Sequence, residues 1–404
     1  MSKRVLCCFI CVLMLFSVGC NNTPSVLNEP EATAVYDWMA GDSPVPQQRM
    51  GVVRQGVNLG DYAVGPKGIY FIPDLFIDNG DNRQLSDDTF VLYADNGSGE
   101  LQKLCGRNDC THDSSDCNAY LYKGSDLSYY RGRLYAVIGE GAFTEECKLV
   151  RMKPDGSGHE EVLDILSFGK EHGAAFVLCS IITDGYCVFD LYDWEDHADG
   201  SYNDIWIGAY KFKLDGSMKE PELMEEAPEV LYQCGDIIVT RDYEIVDGIE
   251  QKISCDLNFE TEEQTRLVEH PGVPAWYGEK AAYYFKDGTI RQMIYETKEE
   301  AVLADTGLNG KYYCFVFPDC LMLASQDDEE GCDRNLYFFN WNFELVDTVQ
   351  LDYPMTSRTQ FAVLAETADR VILTDKFQGD PLYYIEKSEL GTGSVSLYQF
   401  HYSN

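Results

Sequence analysis

The 404-residue sequence lacks the short motifs that mark the commonest catalytic sites. It contains no Gly-x-Ser-x-Gly elbow, no His-Glu-x-x-His helix and no phosphate-binding Walker loop. Carboxylates are so numerous that their presence is not diagnostic of glycoside hydrolysis. The six histidines are scattered, and each taken alone is better explained as a surface or core residue than as a catalytic base: His112, His159, His172, His197, His270 and His401. The sequence therefore predicts no catalytic residue.

Positive charge is scarce. Lys and Arg number 31 against 68 Asp and Glu, which gives a formal net charge of −37 at pH 7. A surface that repels phosphate cannot use the release of counterions that dominates nucleic-acid binding. The same repulsion disfavours docking on an anionic lipid surface. We therefore expect no nucleic-acid partner and no electrostatic contact with the membrane.

The chain also lacks helical periodicity, while a strand, turn, strand pattern recurs along most of it. The clearest copy runs from Cys147 to Leu163, where period-2 alternation is broken by Asp155 and Gly156, the signal for a β-hairpin. A second hairpin precedes each turn, so each unit holds four strands. The other six copies of the turn lie at residues 95–100, 215–219, 258–262, 296–299, 342–344 and 389–394.

Four antiparallel strands repeated at roughly 40 to 60 residues are typical of a β-propeller. A single four-stranded sheet cannot cover both of its faces, whereas blades packed around an axis cover one another. We predict an all-β propeller of about seven four-stranded blades over residues 49–404, with an added strand at residues 50–58. Gly-Gly pairs are absent and the Trp-Asp signature does not recur, which argues against kelch and WD40 blades. A β-sandwich or two smaller barrels are the structural alternatives.

The N-terminus has the features of an export signal. Lys3 and Arg4 precede an apolar run over residues 5–16 that is too short for a membrane span. Residues 17–20, Ser-Val-Gly-Cys, are similar to the lipobox of bacterial lipoproteins, with Ser17 where that family prefers Leu. The resemblance implies a signal peptide over residues 1–19 and lipidation of Cys20, and an ordinary secretory signal is the alternative.

The segment that follows is rich in Pro, Ser, Asn and Glu, and it is predicted to be a low-complexity tether over residues 20–48. Acyl chains on Cys20 would make the membrane contact. We therefore expect the protein at the outer face of the bacterial cytoplasmic membrane. Without residues 1–19 the net charge becomes −39, because Lys3 and Arg4 are lost.

The long polar insertions are expected on one face of the propeller. In an up-and-down blade with strands A to D, the B-to-C and D-to-A connections share one edge of the sheet. The insertions fall almost entirely at those connections, and insertions gathered on one face often mark the binding face of a repeat protein. They cover residues 73–88, 105–126, 193–204, 241–248 and 326–334.

The insertion around residues 192–206 mixes aromatic and acidic side chains. Rings stack on the C–H faces of sugars, and carboxylates accept hydrogen bonds from hydroxyls. This composition predicts a ligand-binding set of Trp194, Asp196, Asp199 and Tyr202. A solvated loop with a buried Trp is the competing interpretation. The Asp clusters, including residues 78–82, suggest calcium by composition only, because they do not follow the twelve-residue EF-hand spacing.

Three cysteines and a histidine lie close together after the first unit: Cys105, Cys110, His112 and Cys117. Zinc favours Cys and His ligands in a tetrahedral site, so the group is a candidate structural zinc site. The spacing departs from common zinc patterns, and an exported protein is expected to form disulfides. A disulfide staple between two of the three cysteines is therefore the favoured interpretation. Eleven cysteines follow Cys20, so at least one is unpaired or binds something.

Together, the lipobox, the tether, the propeller repeats and the Cys-x4-Cys-x-His motif resemble surface lipoproteins of anaerobic Gram-positive bacteria. The repeats are similar to those of TolB-type propellers and of propellers classed as domains of unknown function. The resemblance implies a fold and a location, with no reaction to carry over.

We expect a binding or assembly module for an envelope protein, a peptide or a polysaccharide, acting through the long-loop face. One alternative is a propeller enzyme of the glycoside hydrolase or lyase type that acts on glycans. Another is a sensor or spacer ectodomain. The sequence does not decide whether the chain is an enzyme, and the missing catalytic motifs favour the binding module.

Overall fold

Each hairpin turn read from the sequence joins two strands of one sheet in the computed structural model. In the second unit, Lys148 pairs with Asp164 and Arg151 with Glu160. Asp155 accepts hydrogen bonds from the backbone and the hydroxyl of Ser157 at the turn between them. Gly156 follows with a φ of 76°, and a Cβ there would lie 2.3 Å from the carbonyl oxygen of Leu104. Only glycine fits this turn.

The structure describes residues 62–402 except residues 73–75, 79–82, 86–87, 96, 142–143, 184, 197–201, 227–228, 235–236, 247–248, 268–274, 278–279, 318–319, 326–334, 351–360, 368 and 376–381. All of them belong to the unit that spans Val35–Asn404. The predicted signal peptide, Cys20, the tether and the added strand at residues 50–58 lie outside the described residues. No helix in the described part of the chain is both long enough and apolar enough to span a membrane.

The described strands form seven small antiparallel sheets in a ring, a seven-bladed β-propeller, which confirms the predicted fold. Each blade has four strands, A to D, that follow one another in chain order across the sheet. Blade 1 is Tyr62–Gly65, Gly68–Phe71, Leu92–Asp95 and Glu100–Lys103; blade 2 is Ser125–Tyr130, Arg133–Ile138, Lys148–Met152 and Glu160–Asp164; blade 3 is Phe176–Thr183, Tyr186–Asp196, Tyr202–Lys213 and Glu222–Leu223. Blade 4 is Glu229–Cys234, Ile237–Val246, Ile249–Asn258 and Glu263–Arg266; blade 5 is Ala275–Tyr277, Ala281–Lys286, Thr289–Ile294 and Glu300–Asp305. Blade 6 is Tyr312–Val316, Leu321–Ser325, Asn335–Phe339 and Leu345–Gln350; blade 7 is Phe361–Glu366, Arg370–Asp375, Leu382–Glu386 and Tyr398–Gln399.

A few elements lie outside this pattern. Strands Phe76–Asp78 and Arg83–Leu85 form a hairpin within the B-to-C insertion of blade 1. Asp88–Phe90, from the same insertion, pairs with Tyr120–Tyr122 from the connection to blade 2. The remaining elements are helix Ile165–Glu171, the 3-10 turn Lys387–Glu389 and the final strand His401–Tyr402.

The hydrophobic core lies between the blades. One cluster joins blades 2 and 3 through Leu149, Phe189 and their neighbours. A second joins blades 3 and 4, and a large third fills the space around blades 5 and 6. Alternating strand residues supply both faces of each sheet, so every blade is covered by its two neighbours.

The ring closes where the last blade meets the first. Phe400 is buried in a cluster that contains residues of both blades, and His401 then pairs in parallel with Glu100 on the outer strand of blade 1. Arg370 is 4% exposed. It donates two hydrogen bonds to Glu386 at 2.9 and 2.7 Å and a third to the carbonyl oxygen of Ser98 in blade 1. One side chain therefore links the two ends of the ring.

The long insertions lie on one face of the ring, as the sequence analysis predicted. All seven predicted turns connect strands C and D, while the insertions connect B to C or D to A. In blades 3 and 4 the B and C strands continue as hairpins beyond their A strands, by four and five residues respectively. At about 3.3 Å per residue they project roughly 13–17 Å.

We expect Arg370→Met to destabilise the ring more than a matched surface change. The substitution leaves Glu386 without its partner and removes the bond to Ser98, and breaking a buried pair of this kind costs about 3 kcal/mol. Urea unfolding followed by circular dichroism measures the loss. The control is Arg151→Met, because the pair of Arg151 with Glu160 is exposed and lies within one blade. Equal losses in the two variants would contradict the proposed role of Arg370 in closure.

Candidate metal centre and ligand face

The predicted Cys and His residues lie in the connection between blades 1 and 2, on the long-loop face. This connection is tied to the insertion of blade 1 by backbone hydrogen bonds. The N–H of Val91 donates to the carbonyl of Ala119, and the N–H of Leu104 donates to the carbonyl of Val91, both at 2.8 Å. The hydroxyl of Thr89 also accepts a bond from the N–H of Gly124. The insertion of blade 1 and the connection that carries the cluster are thus joined by hydrogen bonds.

The structure brings all four predicted residues of the cluster together. The sulfur atoms of Cys105, Cys110 and Cys117 and a ring nitrogen of His112 all lie within 4.8 Å of one another. His112 has a φ of 58°, so the chain turns sharply after Cys110 instead of continuing as a strand. This turn lets two residues separated by a single position face the same point. In the described part of the chain, no other group of three or more such side chains could hold a metal ion.

The size of the cluster fits a tetrahedral ion. Zinc bonds of about 2.3 Å to sulfur and about 2.0 Å to nitrogen place neighbouring ligand atoms roughly 3.5–3.8 Å apart. The Sγ of Cys117 lies 3.5 Å from Nδ1 of His112. The remaining ligand atoms need to move by about 1 Å or less to reach this spacing. Three sulfurs and one nitrogen would complete the coordination of such an ion.

Each cysteine of the cluster accepts a hydrogen bond from the backbone N–H two residues later. The N–H of His112 donates to Cys110 and the N–H of Ala119 donates to Cys117, both at 3.4 Å. Backbone N–H groups of Arg107 and Asn118 donate to Cys105. Hydrogen bonds of this kind favour the thiolate, which is the form that binds metals.

The thiols differ in their proton affinity. Burial raises the pKa of Cys105. Hydrogen bonds from backbone N–H groups and from the neighbouring thiols lower it by more, so the pKa of Cys105 lies below its ordinary value. Burial raises the pKa of Cys117 to about 11, and contacts with Cys110 and Cys105 contribute. A metal ion would offset the cost of deprotonating Cys117, because binding releases the proton.

The loop that carries the cluster is held by two cations. The ammonium group of Lys103 donates to the carbonyl of His112 and lies 4.2 Å from the ring centre of Phe90. Arg107 donates to the carbonyl of Asp116 at 2.8 Å and pairs with Asp109. These bonds fix the backbone on either side of the ligands. The surrounding residues therefore hold the four candidate ligands in position.

Eight cysteines whose side chains the structure describes are free thiols, including the three of the cluster. The disulfide staple stays a prediction. Cys147, Cys187 and Cys314 are fully buried or nearly so, and burial raises the pKa of each. Such thiols pack as small apolar groups.

Of the predicted ligand-binding residues, Trp194 lies on the projecting hairpin of blade 3. Its ring centre is 4.7 Å from that of Phe176, and Tyr192 stacks on the same Phe176 at 5.5 Å. The backbones of Asp196 and Tyr202 pair at the end of the hairpin, while their side chains and the whole of Asp199 are outside the described residues. Most of the predicted calcium cluster at residues 78–82 is also outside them.

The predicted ligand-binding set omits two residues of this face, Trp206 and Asp190. Trp206 pairs in register with Tyr192, and its indole N–H donates to Asp190 at 3.2 Å. Burial raises the pKa of Asp190, and the bond from Trp206 partly opposes this rise. The period of two along strand B places Asp190, Tyr192 and Trp194 on one face, which was the available signal. The partner strand could not be placed, because a bulge follows Leu191.

No family model matches the sequence, and no curated protein matches it. Solved structures with a similar fold include an acylaminoacyl peptidase in complex with Z-Gly-Gly-Phe-chloromethyl ketone, at 10% identity and a TM-score of 0.48 over 86% of this chain and 52% of that one. Pyrococcus horikoshii acylaminoacyl peptidase is 11% identical, with a TM-score of 0.46 over 85% of this chain and 52% of that one. The β-propeller domain of the Trilobed protease from Pyrococcus furiosus is 10% identical, with a TM-score of 0.47 over 85% of this chain and 97% of that one. This chain spans about half the length of the acylaminoacyl peptidases, and no statement about activity follows from these similarities.

We expect Cys117→Ala to weaken metal binding and to reduce the thiolate bands of the bound metal. Titration of the reduced, metal-free protein with Co²⁺ reports the site, because thiolate ligands give strong absorption bands. The loss of one ligand of four should weaken Co²⁺ binding at least tenfold and lower the intensity of the thiolate bands, since water can take the fourth position. Cys255→Ala is the matched control, since both sulfur side chains belong to residues that are 3% exposed. An unchanged Co²⁺ spectrum in Cys117→Ala would rule out this metal site.

Proposed function

We propose that this chain is a lipid-anchored, extracytoplasmic β-propeller that binds or assembles with a component of the cell envelope through its long-loop face. The observation that carries the proposal is the placement of the five polar insertions at the B-to-C and D-to-A connections. The C-to-D turns on the opposite face have four to eight residues in blades 1 to 6 and eleven in blade 7. Long connections on one face therefore serve a purpose other than closing the fold.

The projecting hairpins of blades 3 and 4 support this proposal. They reach beyond the sheets to which they belong, and they carry exposed apolar side chains. Ile205, Trp206 and Ile245 are among the most exposed large apolar residues of the described chain. Apolar side chains held away from the core, on rigid paired strands, are typical of contact surfaces.

The candidate metal centre lies on the same long-loop face, and we propose structural zinc as its occupant. Three sulfurs and one nitrogen would fill all four positions of a tetrahedral zinc ion. A filled set leaves no position for a substrate, so the ion would serve to hold the loop. The layer formed by Val91, Leu104 and Ala119 connects that loop to the insertion of blade 1. Zinc should accordingly displace Co²⁺ from the site without a change in fold.

Location follows from the first twenty residues. Acylation of Cys20 would anchor the chain, and residues 21–48 would act as a tether between the anchor and the propeller. The strong negative charge keeps the folded domain off an anionic membrane, so that the lipid is the membrane contact. The partner is then an envelope protein, a peptide or a polysaccharide within reach of the tether.

Changes on the long-loop face should abolish partner capture, while a change on the opposite face should not. We expect Trp194→Ala and Ile245→Ser to reduce the amount of envelope material retained by the immobilised full chain at least tenfold. Ile245 is 76% exposed, so its substitution should leave the fold intact. Mass spectrometry of the retained protein and glycan gives the measurement.

The matched control is Leu345→Ser, because Leu345 is 54% exposed and follows a C-to-D turn on the opposite face. Circular dichroism of each variant confirms the fold. Retention of the same partner in equal amount by Trp194→Ala, Ile245→Ser and the unchanged protein would contradict the proposal.

Cys20→Ser should abolish lipid attachment. Serine has no sulfur to accept the lipid, so the variant is expected to incorporate no radiolabelled fatty acid in the bacterial host, whereas the unchanged protein does. Ser17→Leu is the control, since it restores the preferred residue of the lipobox and should retain the label. Equal incorporation of label into Cys20→Ser and the unchanged protein would contradict lipidation at this residue.

A further inference from the structure

The hairpin of blade 3 presents one row of aromatic and acidic side chains on a single face. Cross-strand pairs of an antiparallel sheet point to the same side, and Tyr192 pairs with Trp206 while Trp194 pairs with Asp204. Phe176 pairs with Tyr192 from strand A; its ring stacks on that of Tyr192 and makes a tilted contact with that of Trp194. We call Tyr192, Trp194, Asp204 and Trp206 the platform.

The ring of Trp206 is exposed and yet fixed. It is 45% exposed, and its indole N–H donates to Asp190, a partly buried carboxylate. A ring held in place loses little conformational freedom when a ligand stacks on it. Trp206 differs in this respect from an exposed aromatic residue that has no partner for its polar atom.

The charge around the platform has one sign. Between Cys187 and Tyr210 the sequence contains six Asp and Glu residues and no Lys or Arg. The nearest basic residues along the strand, Lys211 and Lys213, are paired with Glu262 and Glu260. The platform is therefore a Trp surface on a hairpin whose Asp and Glu residues have no Lys or Arg beside them along the strands, in a chain of net charge −37.

We propose that the platform binds Lys or Arg side chains of a basic peptide segment in a partner protein. The proposal rests on the proposed function, because it names the partner chemistry of the long-loop face. A cation over the face of Trp is attracted by the ring, and adjacent carboxylates add to the attraction. A neutral sugar would gain the stacking contact and hydrogen bonds to carboxylates but no attraction between charges, and an acidic polysaccharide would be repelled. Charge complementarity thus favours the basic peptide over the glycan.

The first test measures binding of a fluorescein-labelled Arg-Gly-Ser repeat peptide to the full chain by fluorescence anisotropy. The comparison peptide has Gln in place of every Arg. We expect the Arg peptide to bind at least tenfold more tightly, and its affinity to fall as salt is raised. A highly acidic protein attracts any cationic peptide weakly, so the decisive measurement is the dependence on the platform.

Trp206→Ala should weaken the Arg peptide about tenfold, and Trp206→Phe should restore part of the affinity, because Phe keeps a ring but loses the bond to Asp190. Asp204→Asn should weaken binding several-fold. Leu345→Ala, an exposed apolar residue on the opposite face, is the control and should leave affinity unchanged. Equal affinity of Trp206→Ala and the unchanged protein would overturn the proposal. So would binding of neutral chito-oligosaccharides that requires Trp206 while the Arg peptide does not.

The two proposals can fail separately. If Trp206→Ala no longer binds the Arg peptide but retains the captured envelope partner, the basic-peptide proposal is wrong for that partner, while the long-loop face keeps its role. If neither the platform variants nor Ile245→Ser affects any captured partner, the proposal that the long-loop face binds the partner is wrong.

Discussion

A four-stranded sheet of this composition is apolar on both faces, and this constraint governs the whole molecule. A row of such sheets would leave two faces exposed to water, one at each end. Closing the row into a ring buries both of these exposed faces against each other. The contact between blade 7 and blade 1 is therefore the interface on which the others depend. Phe400 fills it from the apolar side, and Arg370 spans it with bonds to Glu386 and Ser98. The short parallel strand at His401 adds to the closure from the outer edge.

Closure also determines where the long connections lie. Because successive strands reverse direction, the turns between C and D share one face, and the B-to-C and D-to-A connections share the other. Additions to the second face leave the packing between blades undisturbed. The hairpins of blades 3 and 4 and the loop with Cys105, Cys110, His112 and Cys117 all use this freedom. The fold tolerates these additions because they lie outside the contacts between blades, and it presents them together because they share one face.

The two features of that face suit different tasks. The Cys and His cluster turns its ligand atoms inward, and backbone N–H groups of its own loop donate to the sulfurs. Its geometry suits the proposed ion that would hold the loop. The hairpin of blade 3 instead turns Trp206 outward and fixes it through Asp190. Its geometry suits the proposed contact with a partner.

The sequence by itself determined the blades. Asp155 and Gly156 favour a tight hairpin, and strand alternation assigns the two faces, because both effects act between neighbours in the chain. The four residues of the metal cluster were also visible, since they lie within thirteen positions. Only the tertiary structure decided their geometry, through the left-handed turn at His112 and the backbone donors of Arg107 and Asn118. The same holds for Trp206 and Asp190. Their contact crosses two strands and depends on a bulge after Leu191, and such a shift in register is set by packing of the whole sheet rather than by local pattern.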